Sequence, residues 1–395
     1  MTHRIVIIGA GYAGLTAAAR VARQVRDVEV VLVNARDTFV ERVRLHEIAA
    51  GAAVGEHALA DLLRGTGVRL RIGRVESIDP ERRVLRIAGT AGDDALDDGT
   101  LGYDTLVYAL GSVAGAGVPG VAEHAEDVAE LGTARGLHRR VLDVAARGGT
   151  VTVVGGGLTG IEAATELAET HPRLRVRLLV GTTVGAMLST KGRAHLARVF
   201  DRFGIEVRTG ARVTEVRESS LVLADGETVD TDITVWATGF GVPDLAARAG
   251  LAVDATGRVL VDDTLRSTSH PEVYAAGDAT AVRLPSGREL RMACATAKPL
   301  GRHAADSIAA RLAGRTPRPF RFQYLLQCIS LGRRDGLIQF VDAEDAPKER
   351  VLTGRTAARL KELILRYALR TAYQTGPYPP RRRVSGRQPA HSTHA

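Results

Sequence analysis

Cysteine is almost absent. Two thiols, Cys294 and Cys328, stand 34 residues apart in a chain of 395. Neither belongs to a C-x-x-C pair or to a cluster at metal-ligand spacing, which excludes a disulfide framework and leaves no expectation of a metal site. No stretch approaches the roughly 18–20 apolar residues that a membrane-spanning helix needs. A strand-like run already under way at Arg4 leaves no room for a signal peptide, so a cytoplasmic chain is the expectation. Aromatic residues make up 4% and give no help in naming a substrate. Lysine occurs only at Lys191, Lys298, Lys348 and Lys361, so nearly all 53 basic residues are arginine. With abundant Ala and Gly, that pattern reflects coding bias.

Acid is scarce only at one end. From Ala346 onward, 11 Arg or Lys face only Glu349 and Glu362, a local +9 against an overall +8. The preceding 345 residues therefore sum to about −1, which argues against a nucleic-acid groove through the body. With 45% apolar residues spread along its length, the chain is expected to fold as two or three globular domains.

Glycine is plentiful, and its placement carries the chemistry. Arg4 to Ile8 is a short Ile/Val run of the kind that forms a buried parallel strand. Gly9, Gly11 and Gly14 follow as G-x-G-x-x-G and lead into the helical pattern LTAAARVARQV. The first glycine permits a tight turn, the second lets a pyrophosphate approach the backbone, and the third lets helix and strand pack closely. A second strand, Val28 to Val33, ends at Asn34, where a ribose-binding acid is usual and a neutral hydrogen-bonding group stands instead.

The same pattern recurs in mid-chain. Strand Thr150 to Val154 precedes Gly155, Gly157 and Gly160, then helix Ile161 to Glu169 and strand Arg175 to Val180. Its acid position holds Gly181, followed by Thr182 and Thr183. One such motif is weak; two in the same strand–turn–helix–strand setting predict two dinucleotides, one resident and one visiting as reductant.

YDTLVYALGS (103–112), TDITVWATGF (231–240) and SHPEVYAAGDAT (269–280) complete an ordered set. Over roughly residues 4–340 the chain resembles the FAD-dependent pyridine nucleotide-disulfide oxidoreductase superfamily, in its type II NADH:quinone dehydrogenase-like or apoptosis-inducing-factor-like branch. The resemblance implies an α/β fold with two Rossmann-like dinucleotide-binding domains, the NAD(P)H domain inserted in the FAD domain, and a C-terminal α+β interface region. The expected FAD domain is 1–112 plus 255–315, the NAD(P)H domain 113–254, the interface region 316–375 and a disordered basic tail 376–395. It implies FAD contacts at Gly9, Gly11, Ala13, Gly14, Asn34, Arg42, Ala109, Gly111, Gly277 and Asp278. NADH or NADPH, used permissively as substrate, would meet Gly155, Gly157, Gly160, Gly181, Thr182 and Gly239.

The departures matter. TFVERVRLHEIAAG, where disulfide reductases carry C-x-x-x-x-C, has no cysteine. Glu162 in GLTGIEAATEL stands where the branch has a glutamate near nicotinamide and flavin. The quinone-lining A-Q-x-A-x-Q-Q run is replaced by CATAKPL (294–300), and a family lysine corresponds to Leu325. Hydride transfer between stacked rings needs no acid or base, so few catalytic side chains are expected: Glu162, and Lys298 near a helix start at Pro299. Cys294 reads as a small buried hydrophobe, and His46 as an ordinary surface or hydrogen-bonded histidine. The implied acceptor is a quinone or quinone-like small molecule. A protein electron carrier and a slow redox sensor are the alternatives.

Thr356 to Ala372 reads as an amphipathic helix with Leu360, Leu363, Ile364 and Tyr367 on one side and a basic stripe. Two seatings are compatible with it: docking of the apolar face on the body, or peripheral contact with the inner face of the membrane. A monomer and a homodimer are equally compatible with the sequence.

Overall fold

The computed structural model describes residues 2–89, 99–115, 117–284 and 286–373, and the backbone of Val384–Ser385. The chain begins with β1 (His3–Ile8), α1 (Tyr12–Gln24), β2 (Val28–Asn34), α2 (Leu45–Ala49), β3 (Val68–Ile72) and β4 (Thr105–Tyr108). There follow β5 (Ala125–Asp127), α3 (Leu131–Ala146), β6 (Thr150–Val154), α4 (Leu158–Thr170), β7 (Arg175–Val180), α5 (Thr190–Phe203), β8 (Glu206–Thr209) and β9 (Ile233–Trp236). Then come β10 (Val273–Ala275), α6 (Cys294–Leu312), β11 (Leu326–Ser330), β12 (Gly336–Val341), β13 (Pro347–Thr353) and α7 (Gly354–Tyr373).

Two five-stranded sheets dominate. Their orders are β10-β4-β1-β2-β3 and β5-β9-β6-β7-β8, with every neighbouring pair parallel. Helices cover both faces of such sheets, so their central strands are buried on both sides: Ile5–Ile8 and Val151–Val154 are buried without alternation. In each sheet the strand order reverses at one strand, β1 in the first and β6 in the second. The crevice beyond the carboxyl end of that strand is where an open α/β sheet binds ligands. Gly9 and Gly155 stand at those two points.

The chain leaves the first sheet after Tyr108 and returns to it at Val273, so the second sheet is an insertion. Exit and return run side by side: Val113–Ala114 pairs antiparallel with Phe240–Gly241, and the Gly115 N–H donates to the Gly239 carbonyl at 2.8 Å. The antiparallel sheet β11-β12-β13 and α7 close the molecule.

One shared core fixes the parts relative to one another, and one close helix contact holds the first domain together. Leu45 and Ala49 of α2, Leu137 and Val141 of α3, Ile161 of α4, and Ile329 and Leu337 of the C-terminal sheet share one apolar core. All three parts of the molecule therefore lose water-exposed surface together. In the first domain α1 lies along α6, so close that a Cβ on Gly301 would overlap the backbone of Ala13.

Several expectations are corrected. The helix containing Lys298 starts at Cys294, so Pro299 lies inside it. His46 is buried on α2, not on the surface. α7 does not dock through the expected apolar side. It buries Ala357, Lys361, Leu365 and Ala372, and leaves Leu363 and Tyr367 63% and 57% exposed. The physical reason is the charge partner beneath Lys361, described below, which sets the rotation of the helix. The expected basic tail lies outside the described residues, apart from Val384–Ser385, which pairs in parallel with Val25–Arg26.

Gly301→Ala tests the α1–α6 contact. Alanine gains about 1 kcal/mol of helix propensity over glycine, but backbone overlap with Ala13 outweighs it, and a net loss of about 1–3 kcal/mol is expected. A urea midpoint that stays level or rises would contradict this packing.

Candidate active site

The two glycine turns are built alike. Helices α1 and α4 begin at Gly11 and Gly157 with neither a side-chain cap nor an acid in the first turn. Gly9 and Gly155 have φ of +96° and +127°, which L side chains rarely adopt, and a Cβ at either would strike the carbonyl of Ala109 or Ala237. A Cβ on Gly14 or Gly160 would in turn strike the carbonyl of Gly9 or Gly155. At Gly11 and Gly157, by contrast, an added Cβ meets nothing within 4 Å. Each turn is sealed on its inner side and open on its outer side. That leaves an uncapped, positive helix end facing free space, a cradle suited to a phosphate group.

Around the first turn the structure brings several expected residues together. The Asn34 Oδ1 accepts the Ala10 N–H at 3.0 Å while its Nδ2 donates to the Arg36 carbonyl at 2.8 Å, so this side chain braces the turn. Arg42 Nη1 donates to the Ser112 carbonyl at 2.8 Å and lies against Gly111. Ser112 Oγ donates to Asp278 Oδ2 at 2.7 Å. Gly277, at φ +87°, sits where a Cβ would come within 3.1 Å of the Ala13 Cβ. Ser112 is the link that sequence reasoning missed. At the second turn, Gly181 and Thr182 are exposed at the end of β7, and Gly239 lies in the return crossover.

Glu162, one turn into α4, is held from three sides. Its Oε1 accepts the Ser330 N–H at 3.0 Å and a hydrogen bond from Lys361 Nζ, and its Oε2 lies 3.9 Å from His46 Nδ1. Lys361 also donates to Ser330 Oγ at 2.8 Å. Burial alone would raise the Glu162 carboxyl, but Lys361, then His46 and the Ser330 amide, outweigh it and hold the group below the usual glutamate range. His46 is pushed down by burial and by Lys361 against the pull of Glu162, and its Nε2 has no hydrogen-bond partner among the described residues. The imidazole is therefore neutral near pH 7.

One helical turn on, Glu166 Oε1 pairs with Arg333 Nε at 2.8 Å while Oε2 is buried with no partner among the described residues, and burial pushes this carboxyl up to about 7. Arg333 also reaches Glu47 at 2.9 Å, and buried Arg44 joins Glu41, Glu47 and Glu362. A cleft of about 500 Å³ opens over this network, with Ser330, Lys361 and Arg333 among its lining.

Cys294 connects the two halves. Its thiol, at the start of α6, is raised by burial; Lys361 opposes that rise, while Glu162 and Asp278 add to it. One atom thus feels the charges beside both turns. Cys328 is pushed up to about 11 by burial, so neither cysteine is a thiolate near neutral pH.

Lys298 is placed elsewhere than expected. Its ammonium donates to the Ala368 carbonyl at 2.9 Å and to Thr371 Oγ1, near the last turn of α7. Burial and Arg302 lower it to about 8. It fastens α7 to α6. Lys361 was missed, although its being one of four lysines among 53 basic residues is a signal that something other than coding bias keeps it.

Lys361→Met leaves Glu162 buried and unpaired, a loss of about 3–5 kcal/mol near pH 7. The wild-type carboxyl, depressed on folding, contributes stability that is present above its ordinary value of 4.5 and lost as pH falls through its lower folded value. In the variant burial dominates and the group is raised, so protonation relieves its penalty. The stability gap between the two proteins should shrink between about pH 7 and pH 4. Denaturation at both pH values decides the matter; a pH-independent gap rules out this ion pair as the cause.

Comparison with known proteins agrees with this geometry. The model of a family described as pyridine nucleotide-disulphide oxidoreductase matches residues 3–298. An NADH dehydrogenase-like protein of Mycobacterium tuberculosis is 31% identical over 353 residues, covering 83% of this chain and 86% of that protein. A type II NADH:quinone oxidoreductase of Staphylococcus saprophyticus is 26% identical over 391 residues, covering 91% and 94%. Among solved structures, NDH2 from Plasmodium falciparum in complex with NADH matches with a TM-score of 0.79 at 14% identity, over 97% of this chain and 100% of that one. The sulfide:quinone oxidoreductase of Aquifex aeolicus has a TM-score of 0.79 at 18% identity, over 94% and 92%. At those identities the two structures attest the fold alone. The chain belongs to the pyridine nucleotide-disulphide oxidoreductase family.

Proposed function

We propose that this protein is an FAD-dependent NAD(P)H dehydrogenase that passes reducing equivalents to a quinone or quinone-like small acceptor. The observation that carries the reading is the pair of open phosphate cradles, with Glu162, in its buried pair with Lys361, on the helix that the second cradle opens. The names of the relatives, NADH dehydrogenase-like protein and NADH:quinone oxidoreductase, point the same way.

In this reading residues 1–112 and 255–315 hold FAD, and residues 113–254 receive NAD(P)H. The uncapped start of α1 at Gly11 takes the FAD pyrophosphate, with Ala13, Gly14 and Ala109 backing the turn. Asp278, fixed by Ser112, which Arg42 braces in turn, offers its remaining oxygen to the sugar-alcohol chain. FAD, when bound, supplies a two-electron carrier between nicotinamide and acceptor. Gly155, Gly157 and Gly160 cradle the second pyrophosphate.

Ionised Glu162 pairs with Lys361 at the wall of the cleft. Reduction of a quinone to a hydroquinone consumes two protons, and in this reading Lys361 Nζ, which lines the cleft, donates one of them and is reprotonated from solvent. Lys298, engaged by α7, is left out of the reaction.

α7 also supports contact with a membrane surface. Exposed Leu363 and Tyr367 lie one turn apart, flanked by exposed Arg359 and Arg366, and Leu325 is 68% exposed. That combination suits an anionic interface. Among the described residues no helix is long and apolar enough to cross a membrane, so the proposed contact is interfacial.

Anaerobic mixing of the purified protein with NADH or NADPH should bleach the flavin absorbance, and a soluble quinone should restore it. Absence of flavin or of bleaching overturns the reading. Bleaching without recovery overturns the quinone acceptor and directs the search to a protein carrier. For the membrane contact, Leu363→Glu with Tyr367→Glu should weaken co-sedimentation with phosphatidylglycerol vesicles by about tenfold or more. Equal sedimentation of variant and wild type would remove α7 from that role.

A further inference from the structure

We infer that the rim of the second turn is a subsite for a 2′-phosphate, with Arg212 as its anchor, so that NADPH is preferred over NADH. This rests on the reading that the second turn holds a nicotinamide dinucleotide.

Discrimination between the two dinucleotides is made where the strand after the glycine turn ends. A carboxylate there bonds the free ribose hydroxyls and repels a phosphate; an arginine nearby accommodates the phosphate. Here β7 ends at Val180 and the next residue is Gly181, with no side chain at all. Exposed Thr182 and Thr183 follow.

The loop after β8 is tied to this same point. The Ala211 N–H donates to the Val180 carbonyl at 3.0 Å, the Arg212 N–H to the Gly210 carbonyl at 3.2 Å, and the Ala224 N–H to the Arg212 carbonyl at 2.8 Å. These bonds fix Arg212 against the strand end: a Cβ on Gly181 would stand 3.9 Å from both Cα and Cβ of Arg212. The position that an acid would fill is therefore empty, and an arginine borders it.

The charge there is uncompensated. Arg212 is exposed and its guanidinium has no carboxylate partner among the described residues, whereas the acids on neighbouring segments are engaged. Glu227 is gripped by both Nη atoms of Arg208, and Glu206 by Arg177 at 2.9 Å. A phosphomonoester beside Arg212 would gain charge-assisted, two-pronged hydrogen bonds, and the hydroxyls of Thr182 and Thr183 are at hand as further donors. A bare ribose gains none of the charge term.

The first turn offers an internal contrast. Its corresponding position holds Asn34, whose amide is consumed by Ala10 and Arg36 within the protein. That edge is closed by the chain's own side chain. The second edge is left for a group carried by the ligand.

The test uses the full-length, FAD-loaded protein and two readouts: calorimetric affinity for NADP⁺ and NAD⁺, and kcat/KM for NADPH and NADH. Wild type should favour the phosphorylated nucleotide in both. Arg212→Ala should lower the NADP⁺/NAD⁺ affinity ratio by about ten- to a hundredfold. Arg212→Lys should restore part of it, and Gly181→Asp should invert the preference. A wild type that favours NAD⁺, or a ratio unmoved by Arg212→Ala, overturns the subsite while leaving the dehydrogenase reading intact. Binding of neither dinucleotide overturns both.

Discussion

A single buried ion pair holds the architecture of the site. Glu162 and Lys361 are 199 residues apart in sequence, on a helix of the inserted domain and on the C-terminal helix. Ser330 completes the knot, donating its backbone N–H to the carboxylate and accepting from the ammonium at its hydroxyl. Either charge alone in that place would cost several kcal/mol, while the pair with its extra hydrogen bonds is tolerable. The seating of α7 follows from this. To bring Lys361 under cover, the helix turns Leu363 and Tyr367 outward, which creates the apolar strip on the surface and shapes the wall of the cleft.

Around the pair lies a wider set of charges that joins three separately coded parts. Glu47 comes from the short helix of the first domain and Arg44 from the residue just before it, Glu166 from the inserted domain, Arg333 from the C-terminal hairpin and Glu362 from α7. Apolar burial alone would hold these parts together without fixing their exact angle, because it is non-directional. Directional bonds to arginine forks add the register that a reaction between two bound rings demands.

The legibility of the sequence divides along the same line. Both turns are legible because strand, glycine spacing and helix are contiguous, while the insertion of one domain in the other is legible only through the family resemblance that the ordered motifs carry. Asp278 is legible through the same resemblance, and its contact with FAD stands as a proposal. Lys361, Ser112, Gly301 and Arg212 are not legible, because each is defined by what it meets 30 or more residues away. Lys298 shows the converse failure. Its neighbours in sequence place it near the expected flavin segment, yet its partners, Ala368 and Thr371, lie in the last helix. The burial of His46 is not legible, because a five-residue helix is too short to show which of its sides another domain will cover.

The duplication that runs through the chain is in the end a duplication with one asymmetry. A group that stays needs an edge that closes around it; a group that comes and goes needs one that its own chemistry completes. The first turn is braced by Asn34 and backed by the Arg42–Ser112–Asp278 chain, all internal to the protein. The second has glycine at the matching position and exposed side chains beside it. In the proposed reading the same fold element, used twice, serves as a holder where Asn34 closes its edge and as a dock where Gly181 leaves it open.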